Sequence, residues 1–290
     1  MLEWKNFPDP VSEADWAELS CFTKNSPTLS GSEIIQFLNR QMSEENAATV
    51  LEDIREQINW RETQLRDLYP FELSQGAIVR RTRWKDVLPY TFMLLLSFHE
   101  HYEETRIKRW NKVAKMFERL VTVSIREHLG NAIRIGSPRT PPESPRSFLE
   151  CIPHLCAITG EKKGTIPKMP WHKDAGVDVI GWKKLDERPG KVIFLVQCAA
   201  GGNWRRKDRV KLRRWSRMIY FATNPIEVLA FPQVYNIQNQ LAEETWIDEC
   251  EGRLLLDRLR LATFNAGSLP ADLRKEILEW SGAQMDKLQP

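Results

Sequence analysis

Two stretches decide the fold: "DAGVDVIGW" (174–182) and, after a short turn, "KVIFLVQCAAGGNWRRK" (191–207). Residues 177–185 and 192–200 read as strands, and "DERPG" between them has turn composition, so a hairpin is expected. The second strand is apolar on both faces, which predicts a central strand covered on each side. The first carries Asp178 inside an apolar run. A carboxylate there is costly to bury unless a metal or a cationic group accompanies it.

Working outward, "RWNKVAKMFERLVTVSIREHLG" (109–130) places Trp110, Val113, Ala114, Phe117, Leu120, Val121 and Ile125 on one helical stripe, and Gly130 ends it. Downstream, residues 204–219 read as a helix, "IYFAT" (219–223) as a further strand, and "QNQLAEETWIDEC" and "PADLRKEILEW" as helices. "RLLLDRLRLATF" is open between strand and helix. The first hundred residues read as helical. Ser30 and Glu33 form a capping box, Val50, Leu51, Ile54 and Ile58 recur at helical spacing, and "YTFMLLLSFHEHYEE" follows Pro89 as a buried helix. "GSPRTPPESPRS" and "GEKKGTIPKMPWHK" read as exposed, irregular segments. The expected architecture is an all-helical N-terminal domain (1–108) followed by an α/β domain (109–290) with helices around a small mixed sheet.

Bulk properties exclude little. The chain has 290 residues, 42% hydrophobic and 28% charged, so it can bury one large or two modest cores. A net charge of +3 is too mild to imply a nucleic-acid partner, so any basic surface must be local. Five scattered cysteines read as reduced thiols, and "CIPHLC" (151–156) lacks the paired spacing of a zinc site. The run "VLPYTFMLLLSF" is too short to span a bilayer, and the N-terminus has no basic-then-apolar signal, so a cytoplasmic protein without membrane contact is expected.

Three pieces in this order resemble the PD-(D/E)xK restriction-endonuclease-like superfamily, and within it the Mrr-type members. They are "MFERL" with Glu118, "DAGVDVIGW" with Gly176 and Asp178, and "FLVQCA" with Gln197. The resemblance covers about residues 109–223. It implies a restriction-endonuclease-like core and a metal-dependent endonuclease acting on DNA in restriction or antiviral defence. It also implies Mg²⁺ or Mn²⁺ bound by Asp178 and Gln197, with Glu118 a further catalytic candidate and a backbone carbonyl near Cys198 a third oxygen donor. Such enzymes work as dimers or beside a helicase or ATPase partner. An all-oxygen donor set suits a hard divalent cation. Plainer readings stand beside these: Gln197 as a core amide, Glu118 as a solvated helix-edge residue, and Asp174 as an Asx-turn.

The superfamily's lysine should lie two residues beyond Gln197, where Ala199 stands. Lys191, Lys183 and Lys184 lie toward the other end of the hairpin. On a helix over 204–219, Trp204, Trp215 and Met218 share one face, and Lys207 and Lys211 lie at its edge. Lys207 is nearer the Gln197 end, and some superfamily members carry a migrated lysine on this helix. Lys207 is therefore the expected catalytic lysine, with Lys211 in reserve; the plain alternative is one more surface base. The segment "NWRRKDRVKLRRWSR" carries eight basic residues and one acid. Arg206, Arg209, Lys211 and Arg213 are the expected phosphate contacts. The rival reading is a subunit that keeps the fold, has lost catalysis with the lysine, and binds nucleic acid or scaffolds a complex. A third reading is an interaction protein with no nucleic-acid role.

Overall fold

The computed structural model describes residues 1–4, 7, 9–99, 107–139, 141, 144–165, 175–237, 240–264 and 269–288. It is mixed α/β, and no helix among the described residues is long and apolar enough to cross a membrane.

Helix α1 (Pro10–Thr23) starts where Asp9 accepts the Ser12 amide, with proline in the first turn. Strand β1 (Thr28–Leu29) leads into α2 (Gly31–Leu38), which opens on the expected Ser30–Glu33 capping box. Helix α3 (Glu44–Leu65) buries Ala47, Leu51, Ile54, Ile58 and Leu65, while Val50 is only partly covered. The N-terminal region is not all-helical. β2 (Phe71–Ser74) and β3 (Ala77–Arg80) form a hairpin, and β1 pairs antiparallel with β3. The turn is the two residues Gln75 and Gly76, both at positive φ (47° and 75°), the geometry that suits a strand-matched two-residue hairpin.

Helix α4 (Leu88–His99) is apolar all round, and both sides are used. Tyr90, Leu94, Leu95 and Phe98 join the N-terminal core, while Leu88, Phe92, Met93 and Leu96 join a second core under the larger sheet. A buried ionic cluster also ties the two halves. Arg61 donates to Asp15 (2.8 Å) and Glu18 (2.6 Å), and Arg258 reaches the same Asp15 oxygen from the distant end of the chain. Tyr69 and Tyr90 hydroxyls donate to Glu18, and Ser97 donates to Asp15. Burial alone would raise the Asp15 pKa, but Arg258 and Arg61 pull it below the ordinary value, so it stays ionised.

Helix α5 (Ile107–Leu129) carries the expected stripe; residue 108, the expected domain border, falls at its start. Gly130, at φ 87°, turns the chain straight into β4 (Gly130–Arg134), a strand not expected from the sequence. Helix α6 (Phe148–Thr159) contains "CIPHLC", and the short β5 (Lys162–Lys163) follows. The hairpin is β6 (Val179–Lys183) and β7 (Val192–Cys198), antiparallel as expected. The expected helix over 204–219 is not continuous: a short 3₁₀ turn (Gly202–Arg206) gives way to extended chain, and α7 covers only Leu212–Met218. Residues 219–220 form β8 (Ile219–Tyr220), which pairs with β5 rather than joining the main sheet. The strand that does join is β9 (Ile226–Ala230), parallel to β7. After α8 (Gln240–Cys250), β10 (Leu254–Leu256) pairs parallel to β9, and α9 (Arg258–Phe264) and α10 (Ala271–Leu288) close the chain. "RLLLDRLRLATF" is thus strand and then helix.

The five-stranded sheet has the order β10-β9-β7-β6-β4, with β7 central. Val179, Phe194, Val196 and Val228 pack with Phe117, Leu120, Val121 and Ile125 of α5. Ile180, Trp182, Ile193 and Leu195 pack on the other side with Ile152 and Leu155 of α6 and Trp215 of α7. Gly181 permits the close approach of α5: a Cβ there would lie 2.2 Å from Ile125 Cγ2. In chain order the elements are α5, β4, α6, β5, β6, β7, α7, β8 and β9, with β5 and β8 paired apart from the main sheet.

Candidate active site

Asp178 sits immediately before β6 and is held from three sides. Its amide donates to the Val196 carbonyl (2.8 Å), and its carbonyl accepts the amides of Ile135 (2.7 Å) and Gly136 (2.9 Å). Its Oδ2 accepts the Cys198 amide at 2.8 Å. The paired register ends at Val179 opposite Val196, and because the Asp178 amide also goes to the Val196 carbonyl, Asp178 does not continue it; its carboxylate meets β7 at the Cys198 amide. The turn into β6 runs through Ala175 and Gly176, both at positive φ, and a Cβ on Gly176 would lie 4.0 Å from Gln197 Nε2. Trp215 Nε1 donates to the Ala175 carbonyl, fastening that turn to α7. Asp174 lies outside the described residues.

Glu118 reaches this point from α5, which covers the face of the sheet that carries Val179 and Val196. A Cβ built on Gly136 would lie 2.5 Å from Glu118 Oε2 and 3.1 Å from Asp178 Oδ1. The two carboxylates therefore converge on one bare backbone position, closer together than the sum of those distances. Glu118 Oε2 accepts from Arg134 Nε at 2.7 Å, and Arg134, only 4% exposed, anchors its Nη1 on the Pro138 carbonyl at 3.0 Å. Arg134 Nη2 is buried and, among the described residues, has no hydrogen-bond partner. Sequence reasoning missed both Arg134 and Gly136. The signal that could have found them is "AIRIG", directly after the Glu118 helix.

Ala199 is buried with Trp204 and Leu229 and offers no charge. The segment expected to supply the cation as a helix has a different geometry. Lys207 lies in extended backbone (φ −70°, ψ 126°), so the helical phase expected for Lys207 and Lys211 does not apply. Two local pairings break the helix. Trp204 stacks flat on Phe231 (4.0 Å between centroids), and buried Glu227 accepts the Val210 amide (2.8 Å) and Arg209 Nε (3.0 Å). Lys207 is half-buried, and Lys211 is exposed. Of the expected phosphate contacts, Arg206 and Arg213 are exposed with Lys211, whereas Arg209 is engaged by Glu227 and Glu251.

The Cys198 thiol reports the local field. Burial pushes its pKa well above the ordinary value, and the charges of Asp178 and Glu118 push it further, against the pull of Arg134 and Lys207. Two carboxylates and two cations thus act on one thiol, whose ionised form is disfavoured.

Among the described residues no group of three or more His, Cys, Asp and Glu side chains gathers as a metal centre. Asp178 and Glu118 nevertheless bring together carboxylate oxygens, the donor type hard divalent cations take. The missing side chain at Gly136 is the space between the carboxylates that an added Cβ would fill. No family model matches this chain, and neither a curated protein nor a solved structure matches it.

Proposed function

We propose that the chain is a metal-dependent nuclease of the PD-(D/E)xK restriction-endonuclease-like kind, hydrolysing phosphodiester bonds of DNA in restriction or antiviral defence. The observation that carries this reading is the convergence of Glu118 and Asp178 on Gly136, beside the end of β7 that carries Gln197. Asp178, Gln197 and Glu118 would hold Mg²⁺ or Mn²⁺, which supplies Lewis-acid polarisation of a phosphoryl oxygen. The Cys198 amide fixes the Asp178 carboxylate, and Arg134 fixes Glu118. Lys207 stabilises the charge that develops on the phosphate during in-line attack by water. Exposed Arg206, Lys211 and Arg213 bind backbone phosphates without reading bases. A cleavage assay on plasmid, linear duplex and single-stranded DNA with Mg²⁺ or Mn²⁺ tests this. Cutting that Asp178→Ala abolishes and Lys207→Ala reduces supports it; no cutting of any substrate refutes it.

A second reading is a subunit that keeps the fold without catalysis. Buried Ala199 in the lysine position favours it, as does the hold of Arg134 on Glu118. Salt-sensitive DNA binding without cleavage in that assay would select it.

A further inference from the structure

β7, β9 and β10 run parallel, so Cys198, Ala230 and Leu256 end at the same edge of the sheet as Asp178 and Gln197. Just beyond that edge, Asp257 Oδ2 accepts the Tyr235 amide at 3.1 Å, and the Asp257 backbone leads into α9. A half-open pocket of about 140 Å³ opens there, lined by Trp60, Gln64, Tyr235, Trp246, Asp257 and Arg260. β10 and β7 are two strand spacings apart, roughly 10 Å at ~4.8 Å each. A nucleic-acid strand, at ~3.4 Å per nucleotide or more, covers that span in a few nucleotides.

The lining selects a ligand class. Trp246 and Tyr235 meet edge to face with centroids 4.8 Å apart, and Trp60 faces the same space from α3. The Arg260 guanidinium lies 4.8 Å over the Trp246 ring. That face of Trp246 is taken by a protein cation, which disfavours a cationic ligand nearby and leaves a neutral planar ring the Trp60 side of the space. The volume matches one six-membered ring, since dry cavities of about 150 Å³ hold benzene. Gln64 brings an amide for the polar edge of such a ring, while Asp257, whose two oxygens accept the Tyr235 and Arg260 amides, fixes the wall.

We propose that this pocket takes a single unstacked nucleobase, a pyrimidine by its size, from a nucleic-acid strand whose backbone crosses the sheet edge beside Asp178. Nucleic acid as the source of the ring rests on the nuclease reading.

The test is fluorescence polarisation of the full chain in EDTA, with labelled oligodeoxythymidylate of 12 residues and a matched 12-residue abasic chain. The wild type is expected to bind the thymidylate about 5- to 100-fold more tightly, the value of stacking one base on an aromatic platform. Trp246→Ala and, on a separate element, Trp60→Ala each shrink that preference and leave abasic binding unchanged. Trp246→Phe retains most of it, and Arg206→Ala weakens both probes alike. Equal binding of the two probes, binding of neither, or an intact preference in both alanine variants overturns the pocket. Preference without any cleavage would sink the nuclease reading alone, and cleavage without preference would sink the pocket alone.

Discussion

Gly136→Ala is the sharpest perturbation of the carboxylate pair. Gly136 is not among the residues at positive φ, so alanine brings no backbone strain and only its methyl group matters. That methyl would lie 2.5 Å from Glu118 Oε2 and 3.1 Å from both Glu118 Cδ and Asp178 Oδ1. Ordinary carbon contacts need ~3.5 Å or more, so the overlap with Glu118 is about 1 Å. Glu118 is not free to yield, because Arg134 holds the same oxygen at 2.7 Å from a buried arm. Overpacking of this size costs about 1–3 kcal/mol, a fall in melting temperature of roughly 2–4 °C per kcal/mol in a chain of this size class. Displacing one carboxylate by ~1 Å should also slow metal-dependent cleavage about 100-fold. Thermal melts and single-turnover cleavage rates read the two effects separately. A variant that melts with the wild type and cuts within twofold of its rate would refute the convergence of the carboxylates.

Removing Arg258 with Arg258→Ala leaves Asp15 and Arg61 buried in an incomplete cluster, and a loss of about 3–5 kcal/mol in denaturant unfolding is expected. Burial, then the charges of Asp53 and Asp9, push Glu13 from 4.5 up to about 7. The folded state therefore holds a proton that the unfolded chain has released, and stability falls as pH rises from about 4.5 to about 7, by up to roughly 3 kcal/mol. Glu13→Gln should flatten that slope, and an unchanged pH profile would contradict it. In DNA binding, Arg206→Ala and Arg213→Ala should each reduce the salt slope by about 1. Arg209→Ala should leave it unchanged, because Glu227 and Glu251 already engage that side chain.

The central hairpin of the sheet was legible because its signals are local. The apolar run around Asp178, the turn composition of "DERPG" and the stripe of α5 are each signals within a few residues, and the β6–β7 hairpin follows from the first two. What stayed hidden depends on partners far along the chain. β4 has five residues and abuts α5 without a loop, so nothing in its composition separates it from the helix end. The basic segment has helical composition, yet Glu227, seventeen residues beyond Val210, draws its amide into extended chain. The N-terminal hairpin was overlooked because its turn, Gln75-Gly76, is only weakly marked. At the site, Asp178 and Gln197 were visible as polar residues in apolar strands. Arg134 and Gly136 were not, since their importance comes from Glu118 reaching over the sheet end.

Divalent-ion binding tests the oxygen donors most directly. Titration with Mn²⁺ followed by electron paramagnetic resonance, without DNA, should show a site in the wild type that Asp178→Asn abolishes and Gln197→Ala weakens. Mn²⁺ binding that is absent in the wild type, or undiminished in Asp178→Asn, would contradict a metal held between Asp178, Gln197 and Glu118.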